Sequence, residues 1–261
     1  MDWTPAGGLV AGLLIATVTA PVGVSGAVFL LPVQLSVFGV PNPTITPTNL
    51  LFNVVAGPGA LWRYRLGGAL RGDLTRRLVL GTLPGVVLGA VIRVHALPGP
   101  TVFRLLIACL LLPLGLWLCG RARIRPAHRP PPGDASPPRH ITALALAVGV
   151  VGGIYGIGGG SLLGPILVGR GLPVARVAPA ALAATFATSL VGAAAYALLS
   201  LVSTGDVAPD WALGLACGIG GLLGGYLGAH LQPRLPEPSL RLLLGILATA
   251  VGALYATQVL V

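Results

Sequence analysis

The sequence contains no lysine, and acids are nearly as scarce, with 6 Asp and Glu in 261 residues. Charged residues make up 8% of the chain, against about 25% in soluble domains. That scarcity excludes an ordinary solvated surface. Hydrophobic residues reach 55% and the mean hydropathy is +0.91. Several apolar stretches exceed the roughly 20 residues that cross a bilayer as a helix. The alternating pattern of an outer-membrane barrel is missing. The expected class is an all-α polytopic membrane protein, with the lipid bilayer as its first partner.

Other absences narrow the function. The three cysteines, Cys109, Cys119 and Cys217, form no CxxC pair, and the four histidines make no ligand constellation, so no metal site is expected. No Gly-Lys-Ser/Thr run offers a nucleotide-binding P-loop. The GxGxxG-like spacing near Gly156 follows no strand of a βαβ unit. Scattered Ser and His form no triad. No catalytic residue, cofactor or enzyme activity is expected. The net charge of +10 comes from arginine alone. With no basic face on a soluble domain, it reads as topology anchoring under the positive-inside rule rather than as a nucleic-acid surface. Residues 1–5 lack the basic region of a signal peptide, so the first apolar segment is expected to be retained.

Apolar segments run over about 8–40, 44–62, 78–94, 101–120, 141–169, 174–202, 211–231 and 239–260. A Pro- and Arg-rich linker over 121–140 separates an N-terminal unit (1–120) from a C-terminal one (141–261). The halves resemble each other. PVGVSGAVFLLP over 21–32 lies on IYGIGGGSLLGP over 154–165, so Gly23 meets Gly156, Gly26 meets Gly159 and Pro32 meets Pro165. After one residue of slip, Gly39-Val-Pro meets Gly171-Leu-Pro, and Thr46-Pro47 meets Ala178-Pro179. Gly72-Asp73 matches Gly205-Asp206, Leu97-Pro98 matches Leu235-Pro236, and Arg104 matches Arg241. Duplicated halves with broken helices at matching positions are a common plan of secondary transporters.

Glycine and proline at this density do not suit a plain spanning helix. If each first segment is re-entrant and the next three helices cross, each half crosses an odd number of times and the repeats are inverted. All arginines except Arg93 and Arg104 then share one face. A parallel eight-span arrangement moves Arg170 and Arg176 to the other side as well. The inverted arrangement is therefore expected, with the linker cytoplasmic, both termini outside, and the two bends meeting inside the protein.

The bends carry the candidate chemistry. A helix N-terminus presents free N–H groups and partial positive charge, which favours an anion. Ser25-Gly26 and Gly158-Gly159-Gly160-Ser161 each open the second half of a broken segment, where Ser161 could cap the helix or donate to a ligand. Asn49 and Asn53 share a helical face with Thr48 nearby, and Thr185, Thr188 and Ser189 recur in the second half; Gln34 and Tyr155 are weaker candidates. No carboxylate lies deep in a span, which argues against a cation site and favours an anionic or neutral substrate. The glycines could instead serve helix packing alone. A non-transporting assembly subunit and an anion channel therefore stay open beside a transporter, as does homo-oligomerisation.

At these residues the chain resembles the sulfite exporter TauE/SafE family. The resemblance rests on the duplicated four-segment halves, the glycine bend with Pro165 six residues after Gly159, the Ala-Thr-x-x-Thr-Ser run over 184–189, and the closing Leu235-Pro236 with Arg241. It implies transport of a small anion, often a sulfur-containing one such as sulfite or sulfoacetate, by a multi-pass protein of the cytoplasmic membrane. The first bend, Gly23-Val-Ser-Gly26, departs from the glycine-rich pattern, and Asn49 and Asn53 stand opposite Ala181 and Thr185, so the two half-sites are unequal.

Overall fold

The computed structural model describes residues 4–40, 42–96, 100–122, 141–200 and 208–260. Ten α-helices and two short 3-10 turns occupy these residues, and no strand occurs among them. The first apolar segment divides into α1 (Thr4–Thr19), a 3-10 turn (Ala20–Val22) and α2 (Ala27–Ser36). Then follow α3 (Asn42–Leu66), α4 (Asp73–Ala96) and α5 (Pro100–Ala122). The fifth segment likewise divides into α6 (Ile141–Tyr155) and α7 (Gly160–Gly169), followed by α8 (Val174–Ser200), α9 (Trp211–Leu231) and α10 (Glu237–Leu260). The element order thus repeats: one broken segment, then three long helices. Most of the linker, and Gly205-Asp206 and Leu97-Pro98, lie outside the described residues.

Among the described residues, five helices are long and apolar enough to cross a membrane: Pro5–Val22, Asp73–Arg93, Val174–Leu199, Trp211–Arg234 and Glu237–Val259. Helix α3 falls below that hydropathy although its 25 residues span roughly 37 Å at 1.5 Å per residue. The cause is Thr46, Thr48, Asn49 and Asn53, all of which are buried. Outward-facing residues form apolar stripes instead. Val10, Leu14 and Val18 line one on α1, and Leu215, Ile219, Leu223, Leu227 and Leu231 line one on α9. Such four-residue spacing marks single helix faces turned to lipid.

The packing partners follow the repeat. Helix α1 packs on α9, and its counterpart α6 packs on α4; α3 packs on α9, α8 on α4, α3 on α8, and α5 on α10. Glycines make these approaches close. In α4, Gly81, Gly85 and Gly89 meet Ala145, Leu146 and Val150 of α6 in turn, so the two helices run parallel. In α9, Gly220, Gly224 and Gly228 meet Leu9, Leu13 and Thr17 of α1 in the same way. A Cβ at any of these six glycines would overlap the partner helix, the small-residue seam that membrane helices use in place of a hydrophobic drive. Helices α3 and α8 are antiparallel, with Gly57 against Phe186 and Leu50 against Gly192. So are α5 and α10, where Gly115 meets Thr249 and Leu112 meets Gly252.

Both broken segments double back. The Cβ position of Gly26 lies 3.1 Å from Ile15 of α1, and that of Gly152 lies 2.7 Å from Gly159 N. In a continuous helix those pairs would stand roughly 16 and 10 Å apart. Arg63 Nε donates to His230 Nδ1 at 3.0 Å, and Val174 N donates to Glu237 Oε1 at 2.9 Å. These bonds gather the ends of α3, α8, α9 and α10, with their arginines, at one end of the bundle. At the other end Thr48 Oγ1 accepts from Asp210 N at 2.9 Å, and Arg104 Nη1 donates to Gln258 O at 3.1 Å.

Candidate functional site: two helix breaks joined at Asn53

The first break turns at Gly23, whose φ of +76° suits glycine. A side chain there would overlap Ala178 of α8. The second break turns at Gly156, φ +68°, and a side chain there would overlap Thr46 of α3. Gly23 pairs with Gly156 in the sequence repeat, and Ala178 pairs with Thr46. One interlock therefore occurs twice with the halves exchanged: each break rests on the first long helix after the broken segment of the other half.

Asn53 joins the two breaks. The Ser25 hydroxyl donates to Asn53 Oδ1, and Asn53 Nδ2 donates to Gly156 O at 3.4 Å. Ser25 Oγ also accepts from Ala27 N at 3.1 Å, satisfying one of the orphan donors at the start of α2. In the second break, Gly159 N donates to Thr188 Oγ1 at 3.1 Å. Ser161 does not cap its helix. Gly159 is the N-cap of α7, and the Ser161 hydroxyl donates to Ile157 O at 2.7 Å.

A cavity of about 40 Å³ lies against the first break. Ser25, Gly26, Asn53 and Thr185 line it, together with Thr19, Phe52 and Phe186. The structure thus brings four of the sequence candidates to one space. Gly158, Gly159, Gly160, Ser161, Asn49, Thr188 and Ser189 do not line it. The glycines of the second break serve close packing: a Cβ at Gly160 would fall on Ala181 O, and one at Gly158 on the Thr185 side chain. Several buried polar atoms have no partner, namely Thr185 Oγ1, Ser189 Oγ and the side-chain amides of Asn49 and Gln34. An unpaired buried polar group costs about 1–3 kcal/mol, so this concentration within α2, α3 and α8 is costly unless something else engages it. Among the described residues no group of His, Cys, Asp and Glu could hold a metal.

The sequence reading missed Tyr64 and Tyr196. They are separated by the same interval as Thr46 and Ala178, so the repeat register alone would have paired them. Their hydroxyls donate to Ala20 O and Gly153 O, each at 3.0 Å. It also missed the two glycine seams of α4 and α9, which the GxxxGxxxG spacing carries.

Ten helices, several of them crossing helices with a lipid-facing apolar surface, and two helix breaks meeting at buried polar side chains, define a multi-pass membrane protein built on a transporter plan. The family model Sulfite exporter TauE/SafE matches residues 8–255, and the chain belongs to that family of membrane transporters. Searches of curated proteins and of solved structures return no match.

Proposed function

We propose that the protein is a secondary transporter that moves a small anion, with sulfite, sulfoacetate or a similar sulfur oxyanion as the substrate class. The bond chain Ser25–Asn53–Gly156, beside a cavity also lined by Thr185, carries the reading. It joins both breaks at one polar point in the interior. The N-terminal ends of α2 and α7 add partial positive charge without a cationic side chain. No Asp or Glu of the described residues sits mid-helix in a crossing segment; a carboxylate there would repel an anion. Alternating access would move one repeat against the other. The antiparallel pairs α3/α8 and α5/α10 support inverted repeats, since equivalent helices run in opposite directions.

The arginine-rich end is the cytoplasmic one in this reading, under the positive-inside rule. The membrane is the cytoplasmic membrane, the linker 121–140 lies inside, and both termini lie outside. Reporter fusions within the linker and at Asp206 should report opposite sides; the same side for both would end the inverted model. For the function, purified protein in liposomes is offered sulfite, sulfoacetate, sulfate, thiosulfate and carboxylates in turn. Saturable flux of a sulfur oxyanion supports the proposal. Movement of cations or neutral solutes with no anion flux refutes it. The close packing of Gly158 and Gly160 on α8 favours one rival, an assembly subunit in which the glycines only pack helices. Complete absence of flux from well-folded protein would select that rival.

A further inference from the structure

Tyr64 and Tyr196 occupy equivalent places in the two halves, on α3 and on α8. Each is 4% exposed. The Tyr64 hydroxyl donates to Ala20 O, at the tip of the first break, and the Tyr196 hydroxyl donates to Gly153 O, near the tip of the second. Ala20 and Gly153 stand in the same register as Gly23 and Gly156. Gly153 O belongs to the last turn of α6, where intrahelical donors run out, and Ala20 O belongs to the 3-10 turn before the first break, where it also accepts from Gly23 N at 3.1 Å. Each tyrosine also sits in its own small apolar cluster apart from the main core: Tyr64 with Ala20, Ala60 and Ala229, and Tyr196 with Leu50 and Ala90. The clusters lie toward opposite ends of the bundle. Tyr64 is two residues from the end of α3 at the arginine-rich end, and Tyr196 is four from the end of α8 at the other. The cavity at the first break is lined by Ala20 and Ala60, immediately beside the Tyr64 bond.

We infer that Tyr64 and Tyr196 are a pair of positioning latches. Each ties the tip of its own half's broken segment to the next helix, and the two release at opposite ends of the molecule in opposite phases of the transport cycle. Both bonds are made in this structure, which makes it the closed arrangement between those phases. The inference rests on the transport reading for its purpose, but its geometry is independent of which anion moves. A latch of one hydroxyl–carbonyl bond suits this role. Its net worth is about a factor of five in an equilibrium, enough to bias an opening and small enough to be undone each cycle.

The test uses the full chain in liposomes, in a background lacking the three native cysteines, with a membrane-impermeant maleimide as the probe. The Ala60→Cys reporter sits beside Tyr64, and the Ala90→Cys reporter sits beside Tyr196. Tyr64→Phe should speed labelling of the Ala60→Cys reporter about fivefold from the arginine-rich end and leave the Ala90→Cys reporter unchanged. Tyr196→Phe should do the converse from the other end. Either variant suffices alone, and size-exclusion profiles matching the parent exclude misfolding. A variant that speeds both reporters, or fails to speed its own, overturns the latch. Sulfite flux is measured on the same preparations, where the two variants should shift half-saturation at a given face in opposite directions. No flux of any anion by the parent protein removes the transport reading, while selective labelling still upholds the latches.

Discussion

The first break borders a small cavity, and the second lays its glycines against neighbouring helices. Ser25, Asn53, Tyr64 and Gln232 all bond to or around residues 20–27, Gln232 Nε2 reaching Pro21 O at 2.6 Å. The second break lays its glycines directly on Thr82, Ala181 and Thr185, and side-chain bonds from Asn53, Thr188, Ser161 and Tyr196 also hold it. Beyond its tip stands Arg93, within electrostatic reach of Tyr155 and Tyr196, whereas Gln232 stands at the first. One backbone plan therefore carries two chemistries. The break with a serine and an asparagine borders a small cavity, and the break with four glycines in six residues packs closely on its neighbours.

The largest effects should come where the two halves are alike. Leucine at Gly23 or Gly156 must adopt a positive φ and overlap the opposite half. Each change should cost on the order of 4 kcal/mol or more and eliminate monodisperse protein in detergent. Gly39 and Gly171 also have positive φ (62° and 98°) but open space around them. Alanine there should cost only about 1–2 kcal/mol by thermal unfolding. Equal tolerance at all four positions would break the interlock.

Next in size is Asn53→Leu. It strands Ser25 and the Gly156 carbonyl together, at about 2–4 kcal/mol, and should reduce anion flux at least tenfold. If flux persists at the parent rate, the breaks do not communicate through Asn53. Smaller still are the two caps. Ser25→Ala removes two bonds at the first break and should cost about 1–3 kcal/mol, while Thr188→Val removes the Gly159 N acceptor and should cost about 1–2 kcal/mol. Reversal of that order in unfolding experiments would make Thr188 the more important of the two caps.

The smallest stability effect should be Thr185→Val. Its hydroxyl has no partner in the fold, so the nearly isosteric change should be neutral or stabilising by up to about 1 kcal/mol. Half-saturation for sulfite should nevertheless rise, because Thr185 lines the cavity. A loss of stability with unchanged half-saturation would assign Thr185 to packing.

Much of this was legible in the sequence. Hydropathy and scarce charge gave an all-helical membrane chain. The glycine and proline clusters located both breaks, and the repeat register paired Gly23 with Gly156. Among the candidate residues, Ser25, Gly26, Asn53 and Thr185 do share a cavity. The register could also have given the tyrosine pair, but tyrosine in an apolar helix has no local signal that separates a latch from a core aromatic. Which glycines pack and which border space was not legible either, since a missing side chain looks the same in both roles.

The sequence alone determined that the chain sits in a bilayer, that two helices break, and where. Those outcomes follow from burial of apolar side chains and from the backbone freedom of glycine, both local properties. Only the tertiary structure decided that Asn53 reaches both breaks, that the cavity lies against the first, and that Gly158 and Gly160 lie against α8 while Gly159 lies against Thr82 of α4. Hydrogen bonds between residues 28 and 103 positions apart depend on how separate helices, in the second case from different halves, are set against one another, and no local pattern encodes that placement.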